Sequence, residues 1–415
     1  MISETKRAEL ITQISLDINE VKDLDILLER ILSRAREFFN ADAGSIYLKQ
    51  GNDLKFSYTQ NNTLEERLGP GNKLIYNTYL VPINNDSIAG YVAKNRDLVN
   101  IEDAYKMSGS EPFAFDSHFD TLSDYRTSSI LTVPAMNQRG DLLGVMQLIN
   151  ATDDQGRVTA FSRADESLAK YFAASAALAL ERAQMTRNII MRMVGMAELR
   201  DPEETGAHVN RVASFAVEIY EAWARKEGMA LSEVERDKDV LRMAAMLHDV
   251  GKVAVSDMIL KKPGPLTANE FEEMKSHTYM GARLFQEINS DFDEVAAQVT
   301  LNHHEKWDGT GYPGHMDPFS KRSIPGHEDS QGSPLPKKGD EIPLFSRFVA
   351  VADVYDALVS RRAYKEAWDQ DRVLEEMHRN SGTHFDPKVM DAFFSRTEVL
   401  ASIIDRYPDR MDPLS

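Results

Sequence analysis

The sequence has no cysteine. That absence excludes a disulfide framework, a thiolate-bound zinc and a cysteine-ligated iron–sulfur cluster. It also excludes a thioether-linked chromophore and points to a reducing compartment, the cytoplasm. No apolar run reaches the ~18 residues that span a bilayer. The start, Met1-Ile2-Ser3-Glu4-Thr5-Lys6, lacks the basic-then-apolar pattern of a secretory signal. A basic excess is missing too: 48 Lys and Arg stand against 66 Asp and Glu, for a net charge of −18. With so little basic surface to displace counterions, broad binding to DNA is excluded as the main role. A small anionic substrate stays compatible if metal ions and a few cations concentrate positive charge in one place.

What is present fills about two to three domains. Residues 1–39 read as helix, with Leu10, Ile14, Ile18, Leu24, Leu27, Leu28 and Ile31 recurring at three- and four-residue spacing. Short apolar segments follow at 43–48, 53–58, 129–134 and 143–150, and Gln138-Arg139-Gly140-Asp141 predicts a hairpin between the last two. Ser162 is the expected N-cap of a long helical stretch. The segment 314–343, rich in Gly, Pro, Ser and charge, reads as an inserted loop.

The order of helix, strands and closing helix over residues 20–185 resembles a GAF domain. The resemblance rests on Ala43-Gly44-Ser45-Ile46-Tyr47-Leu48, on Ser87-Ile88-Ala89-Gly90-Tyr91-Val92-Ala93, and on Phe161-Ser162-x-x-Asp165-Glu166. Members that bind cyclic nucleotides carry Asn-Lys upstream of the last element, whereas Asn150 is followed here by Ala151. The expected GAF ligand is therefore an unidentified small molecule. His118 is read as a surface histidine and not a haem ligand. Residues 1–19 are taken as an N-terminal helix and 186–200 as a connecting helix. The mixed apolar spacing over 166–200 permits a short coiled coil, and the GAF resemblance implies a parallel homodimer.

From about 195 onward the pattern is helical and gathers borderline metal ligands. His248-Asp249 precedes Gly251-Lys252, and His303-His304-Glu305-Lys306-Trp307-Asp308-Gly309-Thr310-Gly311-Tyr312-Pro313 follows. His277 lies in a predicted helix over 268–289, and His303-His304 end the next one. Asp353 sits on an apolar helix where burial is costly unless the carboxylate is paired or metal-bound. Asp201 is expected to cap a helix, with Glu204 and His208 four residues apart on one face, a spacing at which both can reach one metal. His315 and His327, inside the insertion, are read as solvent-exposed and not as ligands.

Together these residues resemble the HD-GYP family of phosphohydrolases over about 195–400, with 201–400 taken as the domain and 401–415 as a tail. Ala352-Asp353-Val354-Tyr355-Asp356-Ala357-Leu358 and Arg362-Ala363-Tyr364-Lys365 complete the match. The implied fold is α+β and multidomain: an antiparallel GAF sheet flanked by helices, a connecting helix, and an all-α HD-GYP domain.

The resemblance also implies hydrolysis of cyclic di-GMP to pGpG and GMP by a hydroxide held between divalent metals, iron or manganese. The implied ligands are His248, Asp249, His277, His303, His304 and Asp353, with Asp249 bridging. Glu204 and His208 would hold a third metal. Lys252, Arg362 and Lys365 would hold phosphate oxygens, and Asp249 with Lys252 would serve catalysis. Tyr312 would contact guanine, and the Gly-Tyr-Pro surface would contact a diguanylate cyclase domain. Two other readings keep much of this chemistry: a phosphodiesterase for another cyclic dinucleotide such as cyclic GMP-AMP, and a nucleotide-sensing scaffold.

Overall fold

The computed structural model describes residues 4–69, 79–201, 205–360 and 368–408. Glu204, Arg362 and Lys365 lie outside them. The chain divides into two compact units, Met1–Arg187 and Asn188–Ser415.

In the first unit the stretch expected to be helical over 1–39 forms two helices, α1 (Glu4–Glu20) and α2 (Leu24–Phe39). The break has a local cause. Asp23 is extended (ψ 136°), and its carboxylate accepts from the Asp25 and Ile26 amides, which starts a new helix. The chain then forms β1 (Ala41–Gln50), β2 (Asp53–Asn61), α3 (Asn62–Leu68), β3 (Leu80–Pro82), α4 (Ile88–Asn95) and β4 (Val99–Ile101). After α5 (His118–Ser123) come β5 (Ile130–Met136), β6 (Leu142–Thr152), β7 (Val158–Thr159) and α6 (Arg163–Glu198). The sheet order is β3-β2-β1-β6-β5-β4, with β7 beside β6 and every pairing antiparallel. The predicted hairpin joins β5 to β6.

Each face of the sheet has its own cover. Leu27, Leu28, Ile31, Leu32 and Ala35 of α2 are buried, and the helix packs on β1 and β2. The approach is close: a Cβ on Gly44 would lie 2.8 Å from the Leu32 side chain and 3.0 Å from the Gln147 carbonyl. Tyr47, Leu54, Phe56 and Val145 pack with Ala89, Val92 and Ala93 of α4 to form a second core.

The Phe-x-x-x-Asp-Glu element has structural work to do. Phe161 is buried, Asp165 exchanges hydrogen bonds with Ser162 at the start of α6, and Glu166 accepts from Asn100 at 2.9 Å. Asn150 adopts φ 56°, and its amide group links Ser128, Arg126 and Tyr125. His118 is exposed, as expected, at the first turn of α5.

The second unit is helical: α7 (Gly206–Lys226), α8 (Leu231–Ala245), α9 (Asp257–Leu260), α10 (Ala268–Met274), α11 (Ser276–Ala282) and α12 (Asp291–Asn302). They are followed by α13 (Leu344–Val359), α14 (Gln370–Arg379), α15 (Pro387–Phe394) and α16 (Thr397–Arg406). Phe215, Tyr355 and Phe393 stack edge to face at centroid distances of 5.0 and 5.1 Å, so α7, α13 and α15 share one aromatic core. No helix among the described residues is long and apolar enough to cross a membrane.

Candidate metal centre

Helix ends bring the ligand-type residues together. Thr205 caps α7, its hydroxyl accepting from the His208 amide at 3.1 Å. The cap of this helix is therefore Thr205 and not the expected Asp201, whose carboxylate instead lies 3.1 Å from Lys252 Nζ. Helix α8 stops at Ala245, earlier than expected, so His248 and Asp249 sit in the turn beyond it. This turn lies against α11 with no room to spare: a Cβ on Gly251 would meet the His277 carbonyl at 1.9 Å and the Gly281 nitrogen at 2.4 Å. His277 stands on α11, which is separate from α10 and not part of one long helix. His303 caps α12, and Asp353 projects from α13.

Two groups result. Asp249, His277, His303 and His304 offer one ligand atom each, all within 4.8 Å of one another, and His208, His248 and Asp353 do the same. Asp249 stands at their boundary. Its Oδ1 lies 3.2 Å from His277 Nε2 and 3.4 Å from His303 Nε2, while its Oδ2 lies 3.4 Å from His248 Nε2. Asp353 Oδ1 is 3.9 Å from His208 Nε2 and 4.0 Å from His248 Nε2. His208 thus groups with His248 and Asp353, a partnership the sequence did not reveal; its expected partner Glu204 is outside the described residues.

The imidazoles are oriented by their own backbones. Nδ1 of His248, His277 and His303 donates to the carbonyls of Ala245, Met274 and Val299 at 2.9, 2.7 and 3.1 Å. A carbonyl only accepts, so Nδ1 carries a proton, and in the neutral ring Nε2 is left as the ligand atom. Nε2 of His277 and His303 and Oδ1 of Asp249 are buried and make no hydrogen bond among the described residues. Buried polar atoms left this way are costly. A divalent cation between them would satisfy all three, so the residues fit a metal, and imidazole with carboxylate suits a transition ion.

The electrostatics agree. Burial raises the Asp249 carboxyl, but Lys252, His248 and His277 outweigh it and hold the group well below the usual carboxylate range. Burial lowers His303 despite its Asp249 contact. Burial, then His303 and His277, push His304 far below an ordinary imidazole. These groups are deprotonated at neutral pH, as metal ligation requires.

Several supporting residues escaped the sequence reading. Asp356 Oδ2 lies 2.8 Å from His208 Nδ1, and Arg211 holds the same carboxylate while donating to Ser360 Oγ at 2.9 Å. Lys252, which the sequence did single out, places Nζ 2.9 Å from Asp249 Oδ2. Glu305 accepts from the Gly314 amide at 2.5 Å, and Lys337 Nζ donates to Asn302 Oδ1 at 2.5 Å, so both ends of the insertion are tied to the segment that carries His303 and His304. The only advance signals were Arg211 three residues after His208 and Asp356 three after Asp353.

Tyr312 closes one side of the centre, its ring 4.9 Å from that of His304. A Cβ on Gly311 would lie 2.3 Å from the Lys306 nitrogen, which explains the glycine in this folded-back turn. Inside the insertion, His315 and His327 are not the exposed pair expected. Both are half-buried and stack at a centroid distance of 3.9 Å, because backbone pairing through Leu335 and Ile324 turns both inward.

Comparison with known proteins adds to this geometry. Residues 23–180 match the GAF domain model and residues 205–358 the HD domain model. The chain is 34% identical over 232 residues to the 3'3'-cGAMP-specific phosphodiesterase 2 of Vibrio cholerae, covering 56% of this chain and 39% of that protein. It is 36% identical over 230 residues to a cyclic di-GMP phosphodiesterase of the same organism, covering 54% and 42%. A cyclic di-GMP phosphodiesterase of Thermotoga maritima is 36% identical over 214 residues, covering 52% and 50%. The chain thus spans about two fifths to one half of the length of these relatives.

Proposed function

We propose that this chain, which combines a GAF domain with an HD domain of the HD-GYP type, is a metal-dependent phosphodiesterase. Its substrate is cyclic di-GMP, hydrolysed to pGpG and onward to GMP. The observation that carries the reading is the pair of ligand groups meeting at Asp249. Relatives named for cyclic di-GMP support the substrate. Divalent cations held there, iron or manganese, supply Lewis acidity toward the phosphodiester and an activated water at neutral pH.

The protein groups have distinct tasks. Asp249 presents one oxygen to each ligand group. Lys252, beside it at 2.9 Å, donates to a non-bridging phosphate oxygen or to the departing ribose oxygen. Arg362 and Lys365 hold further phosphate oxygens. Tyr312, at the wall of the centre, contacts guanine or a diguanylate cyclase domain. Glu204 and His208 would hold a third ion, whose added positive charge would favour onward hydrolysis of pGpG to GMP. Two chains pair through α6 in the cytoplasm, and an unidentified small molecule bound to the GAF domain regulates turnover. A second reading, hydrolysis of 3'3'-cyclic GMP-AMP, is favoured by the Vibrio cholerae relative named for that substrate.

The test is anaerobic turnover of both dinucleotides by iron- or manganese-loaded protein, with products separated. Metal-dependent conversion of cyclic di-GMP to GMP, lost in Asp249→Ala and halted at pGpG in Glu204→Ala, supports the proposal. Turnover of cyclic GMP-AMP alone establishes the second reading, and no turnover of either removes both.

A further inference from the structure

The insertion contains a third ligand set, separate from the two groups of the candidate centre although His315 follows Pro313 by only two residues. His315, His327 and Glu341 offer one ligand atom each, all within 4.8 Å of one another. His315 Nε2 lies 3.7 Å from Glu341 Oε2, and only 12% of the His315 side chain is exposed. The three residues come from the beginning, the middle and the end of one irregular segment.

The backbone builds this juxtaposition. The His315 amide donates to the Leu335 carbonyl at 2.8 Å, and the Leu335 amide donates to the His327 carbonyl at 2.8 Å. The Ile324 amide donates to the His315 carbonyl at 2.8 Å, and the His327 amide to that of Ile324 at 2.9 Å. Both histidines are thus bracketed by the same two residues, which brings the rings together.

The segment has little regular structure and no apolar core of its own, although Arg283 donates to its Pro318 and Phe319 carbonyls. It contains isolated bridges and turns but no helix or strand before the short 3-10 turn Gly339–Glu341. No apolar side chain between 314 and 341 is buried; Phe319, Ile324 and Leu335 are exposed. A long loop of this kind stands to gain from a disulfide or a metal clip across it, and the protein has no cysteine.

We infer that His315, His327 and Glu341 bind a divalent cation of the zinc class, which staples the insertion. Two imidazoles and one carboxylate are a zinc-type donor set with water as the fourth ligand. Ligand atoms around a tetrahedral zinc are about 3.3 Å apart, so coordination needs only side-chain movement that splays the stacked rings. The cation links residues far apart in sequence, where closing the loop without it costs conformational entropy. It also stiffens the Gly314 end that Glu305 anchors beside His304.

The experiment is zinc content by native mass spectrometry of the full chain after equilibration with Zn²⁺ and desalting. Wild type is compared with His327→Ala and with the milder Glu341→Gln. Both variants are expected to carry one zinc fewer per chain, with the ions of the catalytic centre retained. Zinc is also expected to slow tryptic cleavage after Lys321 and Arg322 in the wild type and not in His327→Ala. Equal zinc content in all three proteins overturns the assignment, and so does cleavage of the wild type that zinc leaves unchanged. Neither readout depends on the substrate proposed above.

Discussion

Asp356 Oδ2 lies 2.8 Å from Nδ1 of His208, and this contact fixes which nitrogen of His208 faces Asp353. The carboxylate is held ionised. Burial raises it, but hydrogen bonds from His208 and Arg211 bring it below the usual carboxylate range. It orients a ligand and raises its basicity without touching the ion. In Asp356→Asn the shape is kept and the charge is lost. Affinity for the ion that His208 holds should fall about 10–100-fold, as for other outer partners of histidine ligands. Competition titration with a chelating dye measures this, and unchanged affinity would show that Asp356 serves only the packing of Arg211.

Gly251 is the point where the turn carrying His248 and Asp249 meets α11 carrying His277. A Cβ there would lie 1.9 Å from a backbone oxygen that no rotamer change can move. Gly251→Ala must therefore push the two ligand-bearing elements apart. Overpacking of this kind costs about 1–3 kcal/mol or more. A lower Tm and loss of metal at the Asp249–His277 group are expected together. A variant with full metal content would mean that the turn yields without moving the ligands.

Much of this centre was legible because its ligands sit in local signatures: a His-Asp pair before a glycine, and a His-His pair at a helix end. How the ligands divide into groups was not, since that depends on α7 and α13 meeting. His208 and Asp356 are 148 positions apart, and no local periodicity reports such a contact. In the first unit the strands were visible from their apolar runs and turn residues. The break between α1 and α2 was hidden because apolar spacing continues through it, and the side chain of Asp23 decides the matter. His315 and His327 were misjudged because an irregular loop has no period from which to infer facing side chains.

Buried and half-buried histidines make stability depend on pH in a definite direction. Burial, with Lys306 adding to it, lowers His384 to about 4 from 6.5, and His303 and His304 are also lowered. A histidine lowered in the folded state binds fewer protons than in the unfolded chain across the window between its two values. Stability therefore rises with pH through that window and is lost as pH falls. For His384 the window runs from 6.5 down to about 4. Urea midpoints of metal-stripped protein should decline as pH falls below 6.5, and His384→Gln should flatten the decline. Equal slopes for the two proteins would remove His384 from the account.

The apolar face of α6 makes the pairing of two chains testable. Tyr171, Leu178, Met185, Ile189 and Met196 are all exposed large apolar residues on this one helix. Their spacings of seven, seven, four and seven keep them within about 40° of one another around a helix of 3.6 residues per turn. A solvent-facing helix normally places charge along such a line, whereas a stripe at this spacing is the seam of a two-stranded coil. A second copy supplies a matching stripe by symmetry, and a parallel pair aligns it over its whole length. Leu178→Glu and Met185→Glu set like charges opposite one another on the seam. Light scattering after size exclusion should then give the mass of one chain for the double variant and of two for the wild type. A wild-type protein that elutes as a single chain at micromolar concentration would leave the stripe without its partner and overturn the pairing.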